Sequence, residues 1–208
     1  MTSNNLVSIS EARQILYKII SLFPDAKGEL RWGTPFQLLC AVLMSAQTTD
    51  KMVNKVTPIL FKKFPDSKSL AAANISDVEA CIKNIGLYRT KAKHLKTTAT
   101  LIENKYQGIV PKNKKALLTL PGVGIKTANV VLAEAFGVPS IAVDTHVMRI
   151  AKQFKIVPKS AEPSQIETIL ENIMPQKDWI KLHHAMIAFG RYKMPAKYRN
   201  ENPYDFLK

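Results

Sequence analysis

The chain has 208 residues, 46% of them hydrophobic and 22% charged, enough length and apolar content for a substantial core, which excludes a staple-dependent mini-domain. Thirty Lys and Arg stand against sixteen Asp and Glu, a formal charge of +14, so composition favours a polyanionic partner, either nucleic acid or an acidic membrane. Only two cysteines occur, Cys40 and Cys81, both inside apolar helical sequence; they read as small core residues and argue against a disulfide framework or a cysteine metal site.

The opening Met1-Thr-Ser-Asn-Asn lacks a basic start followed by an apolar stretch. No uncharged apolar run approaches the roughly 20 residues that span a bilayer. The expectation is a soluble, cytoplasmic protein, associated with the nucleoid if its partner is DNA.

In chain order the punctuation is helical. Ser8 and Glu11 form a capping box ahead of Ala12, Ile15, Leu16, Ile19, Ile20 and Phe23 at helical spacing, until Pro24 stops the run. Thr34, Pro35 and Gln37 supply an N-cap, a first-turn proline and a capping partner, and Leu38 to Met44 is apolar on every side, as in a helix at the centre of a bundle. Ser76 and Glu79 open a helix that Gly86 closes, and a basic helix runs from about Arg89 to the turn at Tyr106 to Gly108. Asn113 caps a short helical turn before Leu120, and Gly124 to Phe136 reads as a helix ended by Gly137 and Pro139. Beyond Asp144, helical patterns cover Thr145 to Phe154, Pro163 to Ile173 and Asp178 to Phe189. No stretch alternates with period two. The expected fold is all-α, with roughly nine or ten short helices and no repeat.

The segment richest in chemistry is Leu120-Pro121-Gly122-Val123-Gly124-Ile125-Lys126-Thr127-Ala128-Asn129-Val130-Val131. Two glycines between a short helix and a longer one let the backbone approach another surface closely, and the new helix aims unpaired N–H groups outward, a disposition that suits phosphate. Taken alone, Pro-Gly-x-Gly is simply a tight turn. Lys126 falls in the first turn of the outgoing helix, where the positive end of the dipole disfavours its ammonium form; a neutral lysine can attack a sugar carbon, whereas a protonated one contacts phosphate or water. Asp144, in Ile141-Ala142-Val143-Asp144-Thr145-His146, ends an apolar approach and starts a helix, so it reads as an N-cap, a role compatible with a catalytic one.

Leu120 to Val131 and Ile141 to Arg149 resemble the helix-hairpin-helix and following aspartate of the endonuclease III family of DNA glycosylases. Ser45-Ala46-Gln47-Thr48-Thr49-Asp50, Ile85-Gly86-Leu87-Tyr88-Arg89-Thr90-Lys91-Ala92, and His183-His184 with Gly190-Arg191-Tyr192 resemble the same family in order, so the resemblance covers about residues 20 to 192. It implies a two-lobed helical fold: a six-helix barrel at 28–138, with the hairpin at about 113–136, and a second helical domain from 1–27 plus 139–208, with the substrate cleft between them.

It also implies a bifunctional glycosylase and abasic-site lyase that acts on oxidised or ring-saturated pyrimidines in double-stranded DNA as a monomer. Lys126 would attack C1′ and form a Schiff base, and Asp144 would assist its deprotonation while stabilising positive charge on the sugar. An aspartate beside an ammonium also stabilises that ammonium, so the two effects on Lys126 oppose each other. A target base must be turned out of the duplex; the resemblance makes Gln47 the polar residue facing the orphaned base and Leu87 the apolar wedge, against a helix-end cap for Gln47 and core packing for Leu87. Lys91, Gly122, Val123, Gly124, Thr127, His146, Arg149 and Arg191 complete the expected DNA contacts, with His146 and Arg149 holding either the aspartate or a phosphate. His183 and His184 read as packing residues, since no third ligand at metal spacing accompanies them. Whether the hairpin carbonyls hold a monovalent cation stays open. So do two other activities: a monofunctional or mismatch-directed glycosylase, and a DNA-binding scaffold without chemistry.

The sequence departs from the family at its last residues. Most members carry four cysteines for an iron–sulfur cluster shortly after the Gly-Arg-Tyr block, whereas Lys193-Met194-Pro195-Ala196-Lys197-Tyr198-Arg199 and the remainder to Lys208 contain none. The expectation is no cluster. Lys193, Lys197 and Arg199, interleaved with Tyr192 and Tyr198, form either a phosphate-binding or a solvated tail; packing of Pro195, Tyr204 and Phe206 would replace the metal as an anchor.

Overall fold

Helix signals are met almost throughout. The computed structural model describes residues 6–208, so the leader reading of residues 1–5 lies outside the described residues. Among the described residues there are eleven α-helices, a few short 3-10 or π turns and no β-strand. None of these helices is long and apolar enough to cross a membrane.

The chain divides into two compact units, Glu29–Val138 and the combination of Met1–Gly28 with Pro139–Lys208. In the first, α2 (Pro35–Ser45) is the central rod: Phe36 and every residue from Leu38 to Met44 are buried. Thr34 caps it by accepting from the Gln37 amide at 3.2 Å, while the Gln37 side chain reaches one residue further back, to the Gly33 amide at 2.9 Å. Around it lie α3 (Asp50–Lys63), α4 (Ser67–Ala72), α5 (Ile75–Ile82), α6 (Tyr88–Tyr106), α7 (Lys114–Leu117) and α8 (Ile125–Phe136). Cys40 and Cys81 are free and buried in this unit, and burial pushes both thiols up from their ordinary value, which makes them apolar core groups.

Two starts differ from the sequence reading. The α5 helix begins at Ile75 after Asn74, so Ser76 lies within its first turn instead of capping it. The α6 helix begins at Tyr88, after Leu87 in the left-handed region.

The second unit packs α1 (Ile9–Leu22) and α9 (Thr145–Gln153), α10 (Pro163–Ile173) and α11 (Trp179–Ala188) around Leu16, Ile19, Ile150, Phe154, Leu182 and Phe189. The α11 helix passes into a widened π turn, Phe189–Lys193, a departure from α geometry of the kind often met at functional positions.

Candidate nucleic-acid interface and catalytic residues

The hairpin is built on α6. Thr98 is fully buried in the middle of that helix and donates its hydroxyl to the Pro121 carbonyl at 3.0 Å, so one hairpin carbonyl is already engaged. Gly122 has φ +78°, and a Cβ there would stand 2.7 Å from His94 Nδ1. Neither His94 nor Thr98 was singled out from the sequence; their spacing of four residues on one face of a basic helix is the signal that was present.

Gly124 differs. It caps α8 with φ −92° and no side-chain hydrogen bond, and nothing lies within 4 Å of where its Cβ would be. The unit itself does not require glycine here, and the bare backbone leaves the amides of the first α8 turn open to an approaching anion. Lys126 and Ile125 are exposed in that turn, with Thr127 half-buried. Val123 was expected on the DNA side, but its side chain is 7% exposed and its N–H goes to the Leu120 carbonyl at 3.1 Å; it seals the hairpin from beneath.

Gln47 and Leu87 come together within this unit. The Cβ position of Gly86 lies 4.0 Å from the Gln47 carbonyl, so the Ser45–Thr49 and Ile85–Leu87 loops are neighbours. Both residues are exposed, Leu87 by 63%, which removes core packing as its role. Lys91, expected on phosphate, is instead 5% exposed and donates to Thr48 Oγ1 at 2.7 Å; burial pushes its ammonium below the ordinary lysine value. That position leaves no free amine at the surface.

In the other unit, Asp144 caps α9 as its sequence position implies. Its Oδ1 accepts from the His146 and Val147 amides at 2.8 and 2.9 Å. Arg149, one turn further along, does not present a free guanidinium. It donates from Nη1 to Gln153 Oε1 at 3.1 Å and from Nη2 to the Gly190 carbonyl at 2.9 Å. Burial pushes Arg149 down from its ordinary value, and the charge of Asp144 opposes that shift. Glycine at 190 permits this packing, because a Cβ would stand 2.9 Å from His146 Cβ and Nδ1 and 3.2 Å from Arg149 Nη2. His146 Nδ1 is buried without a hydrogen-bond partner, and Arg191 sits half-buried in the π turn. His183 and His184 are buried on α11 with ring centroids 5.1 Å apart. Among the described residues no group of three or more His, Cys, Asp or Glu could hold a metal.

An iron–sulfur cluster does not fit this chain. It needs four thiolates, and the two available thiols are buried in the other unit. The residues after the π turn are instead packed by apolar contact. Met194 is fully buried, Phe206 and Leu207 lie on the core of the second unit, and the Tyr204 ring meets Phe154 edge-on at 5.5 Å while its hydroxyl donates to Glu11 at 3.0 Å. The buried anchor at the start of this segment is Met194, in place of the expected Pro195, which is only half-buried.

The pattern of the HhH-GPD superfamily of base excision DNA repair proteins matches residues 40–176. The chain is 42% identical over 192 residues to the endonuclease III of Bacillus subtilis strain 168, covering 92% of this chain and 88% of that protein. Against the endonuclease III of Escherichia coli K12 the identity is 40% over 185 residues, 88% of this chain and 87% of that one. A solved structure of endonuclease III trapped as a covalent intermediate with DNA, an estranged-adenine complex, superposes with a TM-score of 0.90 at 43% identity, over 92% of this chain and 90% of the other.

Proposed function

Because the chain belongs to the endonuclease III family of base-excision repair glycosylases, we propose that it excises oxidised or ring-saturated pyrimidines from duplex DNA and then cuts the strand at the abasic site. The carrying observation is the outgoing end of the hairpin. An exposed Lys126 stands in the first turn of α8 directly after Gly124, whose backbone is uncovered, so one short segment offers a phosphate seat and an amine beside it. The relative trapped as a covalent intermediate with DNA supports a nucleophilic route.

In that route Lys126 Nζ in its neutral form attacks C1′. The glycosidic bond breaks and its electron pair leaves with the base. Opening of the sugar ring gives an iminium between Nζ and C1′; loss of a proton from C2′ then expels the 3′ oxygen with its phosphate, and water releases the lysine. Asp144 supplies negative charge as the sugar becomes cationic and assists removal of the ammonium proton, with Oδ2 as the oxygen not used in capping α9. Gln47 and Leu87 occupy the space left by the extruded nucleotide, and the amides of the first α8 turn bind a backbone phosphate. The enzyme works as a monomer on chromosomal DNA in the cytoplasm, and its charge of +14 favours association with any duplex.

Borohydride reduction during reaction with a duplex carrying one ring-saturated pyrimidine tests the proposal. The wild-type protein is expected to become covalently attached to the DNA, and Lys126→Ala to yield no adduct. An undiminished adduct in Lys126→Ala moves the nucleophile elsewhere; base release without any adduct from wild type makes the enzyme a glycosylase only.

A further inference from the structure

Gln47 and Leu87 share a backbone anomaly. Their φ values are 54° and 57°, in the left-handed region that costs a non-glycine residue on the order of 1 kcal/mol. Two strained, exposed residues on neighbouring loops need something rigid behind them.

That support is Lys91. Its amide bonds the Leu87 carbonyl at 3.0 Å, closing the first turn of α6, while its side chain turns inward to the hydroxyl of Thr48, the residue after Gln47. One residue therefore holds both loops, by its backbone on the Leu87 side and by its ammonium on the Gln47 side. An apolar residue would fill this space without the cost of desolvating a charge, so the ammonium is best explained by what its bond positions.

We propose that Lys91 is a positioning residue for base extrusion: the part-buried Lys91–Thr48 bond couples the Gln47 loop to the Leu87 loop, so that both enter the duplex as one unit. The inference rests on the reading of Gln47 and Leu87 as gap-filling residues. The Lys91 ammonium is spent on Thr48 and is turned away from solvent, so its role is to position the two loops.

The test uses Lys91→Met, Thr48→Val and Thr48→Ser in the full chain. The substrate is a duplex with a ring-saturated pyrimidine opposite 2-aminopurine, whose fluorescence rises when it unstacks; cleavage of an abasic site in single-stranded DNA, which has no opposite base, is the reference. Lys91→Met and Thr48→Val are expected to lose the fluorescence rise and to lower the ratio of duplex to single-strand rate by about tenfold, the effect of one lost charge-assisted hydrogen bond. Thr48→Ser, which keeps the hydroxyl, should retain both. An unchanged ratio in Lys91→Met, or Thr48→Ser as defective as Thr48→Val, overturns the coupling. If Lys91→Met does not fold, the two Thr48 variants decide. Separately, a wild-type protein that excises without brightening overturns the gap-filling reading, and one that does not excise overturns the proposed substrate.

Discussion

Gly122 and Gly124 sit two residues apart and look alike in the sequence, yet the fold asks different things of them. Gly122 has a positive φ and its missing Cβ makes room for His94, so Gly122→Ala incurs left-handed strain plus a clash with a ring that must move. The expected loss is about 2 kcal/mol, seen as a lower midpoint in thermal unfolding. Gly124→Ala meets neither obstacle and should leave that midpoint within about 0.5 kcal/mol of wild type, while weakening duplex binding because a methyl group now covers the uncapped amides. Equal destabilisation by the two changes would refute the distinction. The motif was legible because glycine, lysine and aspartate have strong local meanings. The division of labour between the glycines was not, because it depends on His94, 28 positions before Gly122 in the chain. Lys91 was misplaced for the same reason. A lysine in a basic helix reads as surface, and only Thr48, 43 positions earlier, turns it into an interior tie.

Helices with strong punctuation were readable nearly to the residue: α10 spans Pro163–Ile173 and α8 ends before Gly137, as their caps imply. The region from 50 to 72 is less legible. There Pro58 falls inside α3, and α4 has only six residues, so neither offers the uninterrupted periodicity that marks a helix. What defines α4 is its start. Asp66 accepts from the Ser69 amide at 2.8 Å, and its own amide donates to Ser69 Oγ at 3.3 Å, a reciprocal capping box. The Ser69 amide, aided by the Ser69 hydroxyl, holds the Asp66 carboxyl below its usual value. The sign follows directly: a depressed folded value stabilises the protein above the unfolded value of about 4, and that stability disappears as pH falls through the lowered one. Asp66→Ala is expected to cost about 1 kcal/mol near neutrality, a drop of roughly 2–4 °C in the unfolding midpoint for a chain of this size. The gap between wild type and variant should close on acidification. A gap that stays constant down to pH 2 would assign the cost to something other than the ionised cap.

At the scale of the whole molecule, the open question raised by the sequence is what braces the helix capped by Asp144 when no cluster can form. The last residues answer it by hydrogen bonds to α9, by apolar cover over the core of their unit and by contacts among themselves. Gln153 at the end of α9 donates to the Arg199 carbonyl at 2.8 Å and accepts from Arg149, which in turn bonds Gly190, so the α9 helix is tied to both the π turn and the terminal segment. Tyr198 stacks near Phe206 at 5.4 Å, and Phe206 with Leu207 covers the core. Lys193 Nζ donates to the Lys208 carbonyl at 2.6 Å, closing the segment on itself. This is a brace made of apolar contact and hydrogen bonds; the sequence points to Tyr204 and Phe206 as its apolar part, whereas Met194 and the tie from Gln153 to Arg199 depend on residues that carry no such local signal. Deleting residues 196–208 uncovers the core beneath the half-buried Phe206 and Leu207, worth about 1–2 kcal/mol together, and removes the α9 tie. The unfolding midpoint should then fall by roughly 5–10 °C, and base removal, for which Asp144 is the proposed charge-stabilising group, should slow more than DNA binding does. Iron chelators, by contrast, should shift neither stability nor rate of the full-length chain. A truncated protein as stable and active as the full chain would remove the terminal segment from this role, and a chelator-sensitive midpoint would mean that a metal, bound by some other donor set, shares it.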